Sequence, residues 1–180
     1  ALPLSGRTIL QVIPHLSAGG AERTTIEVAE ALKAAGAKAL VASVGGRLEG
    51  ELSRAGAELI RIDRLATKNP LGIYGNASIL AKIIAKYKVD LVHARSRAPA
   101  WSALWAARRM KKPFVTTYHG VYNAKSAPKK LYNSVMARGD LVIANSEFTA
   151  THVRKEYPEV ASRIVTIPRG VDIGKFSPDA

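Results

Sequence analysis

The chain has 180 residues, with 27 basic and 14 acidic residues, no cysteine and 47% hydrophobic residues. This length fits one domain with a sizeable core, and the composition excludes a disordered tail, a collagen-like fibre and a disulfide-stapled scaffold. The longest uncharged stretch, from Thr8 to Ala21, is interrupted by proline and glycine and is too short to span a membrane. The absence of cysteine is typical of the cytoplasm, where we expect this protein.

Positive charge is concentrated in the middle of the chain. Between Arg64 and Gly139 there are 15 basic residues and a single acidic residue, Asp90, whereas the remaining residues carry a net charge of −1. Such a field attracts an anionic partner: a phosphorylated substrate, an anionic lipid surface or a nucleic acid. The alternative is a solvated face whose paired basic residues complement helix carboxyl ends.

Short β-branched segments alternate with longer amphipathic segments along the chain. In chain order this pattern predicts strand 8–13, helix 21–35, strand 38–43, helix 49–55, strand 58–62, helix 74–87, strand 91–93, helix 99–110, strand 114–118, helix 129–137, strand 141–144, helix 147–155 and strand 164–167. Such alternation predicts an α/β fold: a Rossmann-like, doubly wound parallel sheet of about seven strands with helices on both faces. In this class the ligand lies outside the carboxyl ends of the strands.

A glycine pair, Gly19 and Gly20, follows the first strand and opens the first helix. Glycines at a helix start let a ligand approach the backbone, and the free N–H groups there favour a phosphate. The alternative is a tight turn that requires a positive φ. The segment matches neither the dinucleotide fingerprint nor the P-loop, which argues against a nicotinamide-dependent oxidoreductase.

The ends of the fourth and fifth predicted strands carry arginine and histidine residues. Arg95 and Arg97 follow the fourth strand, where guanidinium groups can grip phosphate or carboxylate, although they could equally be surface arginines. His119 follows the fifth strand beside Gly120, where an imidazole can bind a substrate hydroxyl or move a proton. The alternative for His119 is a structural histidine.

Ser146 follows the sixth strand. With Glu147 behind it, Ser146 fits a helix N-cap, and a cap that faces the crevice can also contact a ligand. The four histidines have no zinc-type spacing and no nucleophile elbow occurs, so we expect no metal and no resident cofactor.

Several segments together resemble family 4 glycosyltransferases. They are 12–23 (VIPHLSAGGAER), 90–94 (DLVHA), 117–120 (TYHG), 144–147 (ANSE) and the hinge-like 167–172 (IPRGVD) with 176–178 (FSP). The resemblance covers essentially the whole chain and implies one half of a GT-B fold, in which two Rossmann-like domains face each other across a cleft. It implies an amino-terminal, acceptor-side domain at 1–168 and an inter-domain hinge at 169–180, with the carboxyl-terminal nucleotide-sugar domain absent from this chain.

The same resemblance implies an activity. A member of this family transfers a hexosyl group from a nucleotide-diphospho-sugar, its co-substrate, to a glycan or lipid-linked acceptor, with retention of configuration and without a metal. The basic middle suggests lipopolysaccharide or another envelope glycan as the acceptor class. We also expect peripheral contact with an anionic membrane at the inner face of the cytoplasmic membrane, and no activity from this chain alone.

The resemblance also assigns roles to single residues. His119 matches a histidine at the reacting centre. The donor-side residues are Gly19, Gly20, Gly120 and Ser146. The expected acceptor-side residues are Glu22, Lys68, Arg95, Ser96, Arg97 and Tyr118.

The chain departs from the family pattern in two places. Arg169 stands where relatives usually have asparagine in the hinge, and the Glu-x₇-Glu spacing at Glu22 and Glu30 lies on the first helix, away from the family's motif. A GT-B nucleotide-sugar epimerase would need more carboxylates near the crevice than this acid-poor middle offers. A non-catalytic anion-binding domain fits the charge alone, but nucleic-acid motifs are absent and only 6% of the residues are aromatic.

Overall fold

Residues 1–168, which the computed structural model describes, form a seven-stranded parallel sheet with six α-helices. The strands are β1 (Thr8–Val12), β2 (Lys38–Ser43), β3 (Glu58–Arg61), β4 (Leu91–Ala94), β5 (Phe114–Tyr118), β6 (Leu141–Ala144) and β7 (Ile164–Thr166). The helices are α1 (Gly20–Ala34), α2 (Glu49–Arg54), α3 (Pro70–Tyr87), α4 (Arg97–Arg109), α5 (Ala127–Asn133) and α6 (Glu147–Glu156), with 3-10 helices at Ser134–Ala137 and Pro158–Arg163. The predicted hinge at 169–180, including Arg169, lies outside the described residues.

The strand order is β3-β2-β1-β4-β5-β6-β7, and every neighbouring pair is parallel. The direction of winding reverses between β1 and β4, which confirms the predicted doubly wound, Rossmann-like sheet. At such a reversal the chain leaves the two strands toward opposite sides and opens a crevice at their carboxyl ends.

Alternation along β1 divides the hydrophobic core between the two faces of the sheet. Leu10 and Val12 are fully buried in the cluster that α3, α4 and α6 cover. Ile13 points to the opposite face and packs with Ile26 of α1 and Leu52 of α2. The two-faced burial explains why the central strands read as continuous apolar runs.

Helices α3, α4 and α5 begin two or more residues earlier than the sequence predicted. The side chain of Asn69 accepts a hydrogen bond from Leu71 N at 2.9 Å, and Pro70 occupies the first helical position, so α3 begins four residues before the predicted start at Tyr74. An Asn-Pro pair is equally typical of a turn, whereas here it forms an N-cap followed by proline at the first helical position. α4 likewise begins at Arg97 rather than Pro99. No helix within residues 1–168 combines the length and apolar character that a membrane span needs.

Candidate active site

Polar side chains of β1, β4 and β5 line up on one face of the sheet, next to the winding reversal. Gln11 is the register partner of His93, and the imidazole of His93 contacts the hydroxyl of Thr117. Arg95 and His119 follow two residues beyond His93 and Thr117, so strand alternation brings them to the same face at the carboxyl edge. These five residues are called the polar row below.

Arg95 is a buried cation without a carboxylate partner among residues 1–168. Its residue surface is only 3% exposed, and none of the ion pairs in this part of the chain includes it. Burial lowers the pKa of Arg95 from its usual 12.5 to about 10, so the guanidinium stays charged at neutral pH. The amide oxygen of Gln11 accepts from its Nε at 3.1 Å and its Nη2 at 2.7 Å.

Gln11 is itself held in one orientation. Its Nε2 donates to the carbonyl oxygen of Thr25 in α1 at 3.0 Å, and the residue is fully buried. Since a carbonyl can only accept, the amide nitrogen must face α1 and the amide oxygen must face Arg95. Helix α1 therefore fixes the position of the guanidinium through one side chain.

His93 is a buried neutral histidine. Its Nε2 lies 2.6 Å from Oγ1 of Thr117. Burial lowers the pKa of His93 well below its usual range, and the neighbouring Arg95 and His119 lower it further. His93 therefore supports the row as an uncharged hydrogen-bonding group.

The buried state of His93 predicts a loss of stability in mild acid. Below about pH 6.5, the usual histidine pKa, the unfolded chain binds a proton that folded His93 does not, so the free energy of unfolding falls by up to about 1.4 kcal/mol per pH unit. Urea unfolding at stepped pH should show a flatter profile for His93→Gln than for the original chain. Parallel profiles for the two proteins would contradict the assignment.

His119 is held from two sides at the edge of the crevice. Nη1 of Arg95 lies 3.4 Å from its Nε2, and Nδ2 of Asn145 donates to its backbone carbonyl at 2.9 Å. Asn145 is fixed in turn, because Thr149 Oγ1 donates to its Oδ1 at 3.0 Å. The side chain is partly exposed, so it is both positioned and accessible.

The glycine pair after β1 does not form a tight turn with positive φ. Gly19 is extended, with φ −74°, and Gly20 is not among the glycines with positive φ. The tight-turn alternative is therefore wrong. Both glycines are exposed, and the carboxylate of Glu22 lies against Gly19 at the start of α1, where a negative charge is favoured.

A second glycine pair, which the sequence analysis missed, supports this segment from the next loop. Gly45 has φ +106°, and its carbonyl oxygen accepts from Leu16 N at 3.1 Å. A Cβ on Gly46 would overlap the Leu16 carbonyl, which in turn accepts from Leu48 N at 2.9 Å. The loops that follow β1 and β2 are thus joined by backbone hydrogen bonds.

Arg97 is engaged by aromatic residues instead of facing the polar row. Its guanidinium carbon lies 4.4 Å from the ring centre of Tyr122 and 5.2 Å from that of Tyr132. Nη1 also donates to Oδ1 of Asn133 at 2.7 Å. Arg97 therefore connects the start of α4 to α5 and to the loop that follows His119.

Four other residues predicted for the site lie at helix caps or are exposed near the strand ends. Ser146 caps α6, since its Oγ accepts from Thr149 N at 3.1 Å, whereas Ser96 at the N-cap of α4 makes no side-chain cap bond. Lys68 is exposed in the loop after the edge strand β3. Gly120 is exposed with open space around its Cα.

Tyr118 lies on the other face of the sheet from His119. It is buried in the cluster below α6, 5.6 Å from the ring of Tyr122, and burial raises its pKa. Among the predicted residues, the structure thus joins Arg95 to His119, and it sends Arg97 and Tyr118 elsewhere. In the described part of the chain, no three metal-ligand side chains lie together.

Sequence reasoning missed Gln11 and Asn145 as parts of the site. Gln11 interrupts an apolar strand, TILQVI, and this lone buried-strand amide was the available signal. Asn145 precedes a residue that already explained the helix start, so its bond to the His119 carbonyl had no separate sequence signature.

The chain is similar to known glycosyltransferases in sequence and in fold. The sequence profile described as Glycosyltransferase Family 4 matches residues 18–175. A glycosyltransferase from Rickettsia africae is similar over 96% of this chain and 45% of its own, with 46% identity and a TM-score of 0.83. No curated protein matches the chain significantly.

Two more distant structures share the fold. The Anabaena protein HepE in complex with UDP and glucose is 21% identical over 95% of this chain and 47% of its own, with a TM-score of 0.73. The sucrose-phosphate synthase of Thermosynechococcus elongatus is 18% identical over 96% of this chain and 50% of its own, with a TM-score of 0.71. The chain spans about half the length of these solved structures.

Proposed function

The chain belongs to glycosyltransferase family 4, and from this membership we propose that the complete protein transfers a hexosyl group from a nucleotide-diphospho-sugar to a glycan or lipid-linked acceptor. The transfer retains configuration and uses neither a metal nor a resident cofactor. The observation that carries the proposal is the position of His119, held between Arg95 and Asn145 at the crevice where the sheet reverses its winding.

The side chains around the crevice suit the two substrates. His119 contacts the sugar at the reacting centre, with Gly120 and Ser146 on the donor side. The exposed backbone of Gly19 and Gly20 allows the donor to approach the start of α1. The carboxylate of Glu22 can accept hydrogen bonds from acceptor hydroxyl groups.

The direct test offers a panel of nucleotide-diphospho-sugars to the complete protein and measures transfer. The anomeric configuration of the product is then determined. The nucleotide-sugar domain is expected to follow the hinge, and the family's donor-binding motif belongs to it. The purified 180-residue chain should therefore show no turnover. Turnover by this chain would contradict the assignment of the donor site to a following domain, whereas no turnover by the complete protein with any donor would refute the proposed activity.

Gly20 offers a separate test of donor approach. Gly20→Leu should weaken donor binding by the complete protein about tenfold or more, which corresponds to about 1.4 kcal/mol, because the side chain obstructs the backbone. The fold should persist, since Gly20 is exposed and does not need positive φ. Gly75→Leu in α3, where an added Cβ contacts nothing within 4 Å, is the matched control. An unfolded Gly20→Leu protein would instead favour a structural role for this glycine.

The family match argues against the epimerase alternative, since the matched profile is that of a glycosyltransferase.

We propose an anionic envelope glycan, of the lipopolysaccharide kind, as the acceptor class. Fifteen basic residues between Arg64 and Gly139, against Asp90 alone, support an acceptor that carries negative charge.

Peripheral contact with the inner face of the cytoplasmic membrane is part of the same proposal. Leu71 and Tyr74 at the start of α3 are 82% and 70% exposed, and Trp105 of α4 is 41% exposed. The rings of Tyr74 and Trp105 lie 6.4 Å apart. These three residues, called the apolar patch, lie in the basic middle of the sequence, and exposed aromatic residues together with basic residues suit a membrane interface.

Vesicle binding tests the membrane contact. The protein should sediment with anionic vesicles and not with neutral ones, and the binding should weaken with salt, because each basic residue near an anionic surface contributes about 1 kcal/mol. Replacing all three residues of the apolar patch with serine should reduce binding to anionic vesicles below that of the unsubstituted protein. Phe148→Ser in α6, where the side chain is 76% exposed, serves as the control. Equal binding to neutral and anionic vesicles would remove this part of the proposal.

A further inference from the structure

The polar row contains a chain of hydrogen bonds whose directions are all determined. The Thr25 carbonyl can only accept, so the Gln11 amide nitrogen faces it at 3.0 Å and the amide oxygen faces Arg95. A guanidinium has five N–H donors and no acceptor. At the 3.4 Å contact between Arg95 Nη1 and His119 Nε2, the imidazole nitrogen must therefore be the acceptor.

We infer that Arg95 is a positioning residue that fixes His119 as the neutral tautomer protonated at Nδ1. An acceptor Nε2 carries no proton, so the remaining ring proton of a neutral imidazole lies on Nδ1. The ring then acts as a donor through Nδ1, and Nε2 does not remove a proton from the sugar. This inference rests on the proposed function only for what His119 contacts, since the tautomer follows from the hydrogen bonds.

Two further observations favour a positioning role over direct contact between Arg95 and an acceptor. The residue is 3% exposed, which leaves almost none of its surface for a ligand. Its Nε and Nη2 are also committed to Gln11, so only the Nη1 side faces His119. A planar guanidinium held along one edge presents its remaining N–H groups in a fixed direction.

The backbone of His119 is fixed independently of Arg95. Asn145 donates to its carbonyl, and Thr149 holds Asn145. Loss of the guanidinium should therefore let the His119 ring adopt the other tautomer while its backbone stays in place. Arg95 thus determines which ring nitrogen carries the proton, and Asn145 determines where the residue lies.

Nitrogen-15 NMR of the histidine rings reads the tautomer directly, because protonated and unprotonated ring nitrogens resonate far apart. In the 180-residue chain at mildly alkaline pH, His119, assigned by loss of its signals in His119→Gln, should show a protonated Nδ1 and an unprotonated Nε2. In Arg95→Met the Nε2-protonated tautomer, which free imidazole prefers, should appear. Arg108→Met is the control, because Arg108 is exposed in the last turn of α4 and its loss should leave the His119 signals unchanged.

The outcomes are distinct. A protonated Nε2 on His119 in the original chain overturns the inference by itself, even if Arg95→Met does not fold. An Nδ1 proton that persists in folded Arg95→Met also overturns it, since another group would then set the tautomer. The His93 signals report whether the rest of the row is intact in the variant. No transfer is measured, so failure here leaves the proposed activity to its own test.

Discussion

Replacing His119 with alanine should lower the rate of the proposed glycosyl transfer by the complete protein about 100-fold or more. This is the scale of a lost proton transfer or of a lost contact made in the transition state. His119 stands at the crevice edge with its backbone bound by Asn145, so the substitution removes an imidazole from a position that is otherwise retained. Steady-state kinetics with the natural donor and acceptor would measure the effect.

The matched control for this experiment is His152→Ala. His152 lies in the middle of α6, away from the strand ends, and its replacement should leave turnover unchanged within the error of the assay. Stability of both variants is followed by urea unfolding, which separates a loss of activity from a loss of folded protein. A decrease below threefold for His119→Ala would remove this residue from the reacting centre.

Replacing Gln11 with leucine should destabilise the chain by about 3 kcal/mol. The substitution removes the acceptor of two guanidinium N–H groups and leaves Arg95 charged and buried, and removal of one partner from a buried charged contact is among the costliest single changes. Urea unfolding of the 180-residue chain at neutral pH gives the difference. A cost below about 1 kcal/mol would mean that Arg95 is solvated without Gln11.

The double variant tests whether the cost comes from the stranded charge. Gln11→Leu with Arg95→Met leaves two apolar side chains in contact, and replacing both partners of a buried polar pair is often nearly neutral. The double variant should therefore be more stable than Gln11→Leu alone. If the two single effects simply add, the residues do not depend on each other and the description of the polar row is wrong.

The fold was largely predictable because its signals are local. The alternation of β-branched and amphipathic segments predicted the strands β1 to β7 and the helices α1 to α6, and the Rossmann-like class followed from it. The predicted start of α3 was wrong because Asn69-Pro70 is equally typical of a turn and of a capped helix. Only the side-chain hydrogen bond to Leu71 distinguishes the two.

The site was predictable only in part, because its decisive contacts join distant positions. Arg95 and His119 were found from their places after strands, yet Gln11, which holds Arg95, is 84 residues away in the chain. Arg97 has the same strand-end signal as Arg95, but the path of the loop that carries Tyr122 assigns it to an aromatic contact. A strand-end position therefore indicates where a residue is and not which partner it meets.

The backbone bonds between the loops after β1 and β2 bear on the engineering of hybrid transferases. Leu16 is bonded to Gly45 and to Leu48, and the space over Gly46 admits no side chain. The two loops therefore form a single exchangeable module. A graft that takes the glycine segment of one transferase into another without its neighbouring loop would separate surfaces that fit each other, and specificity would be altered through misalignment as well as through the new residues.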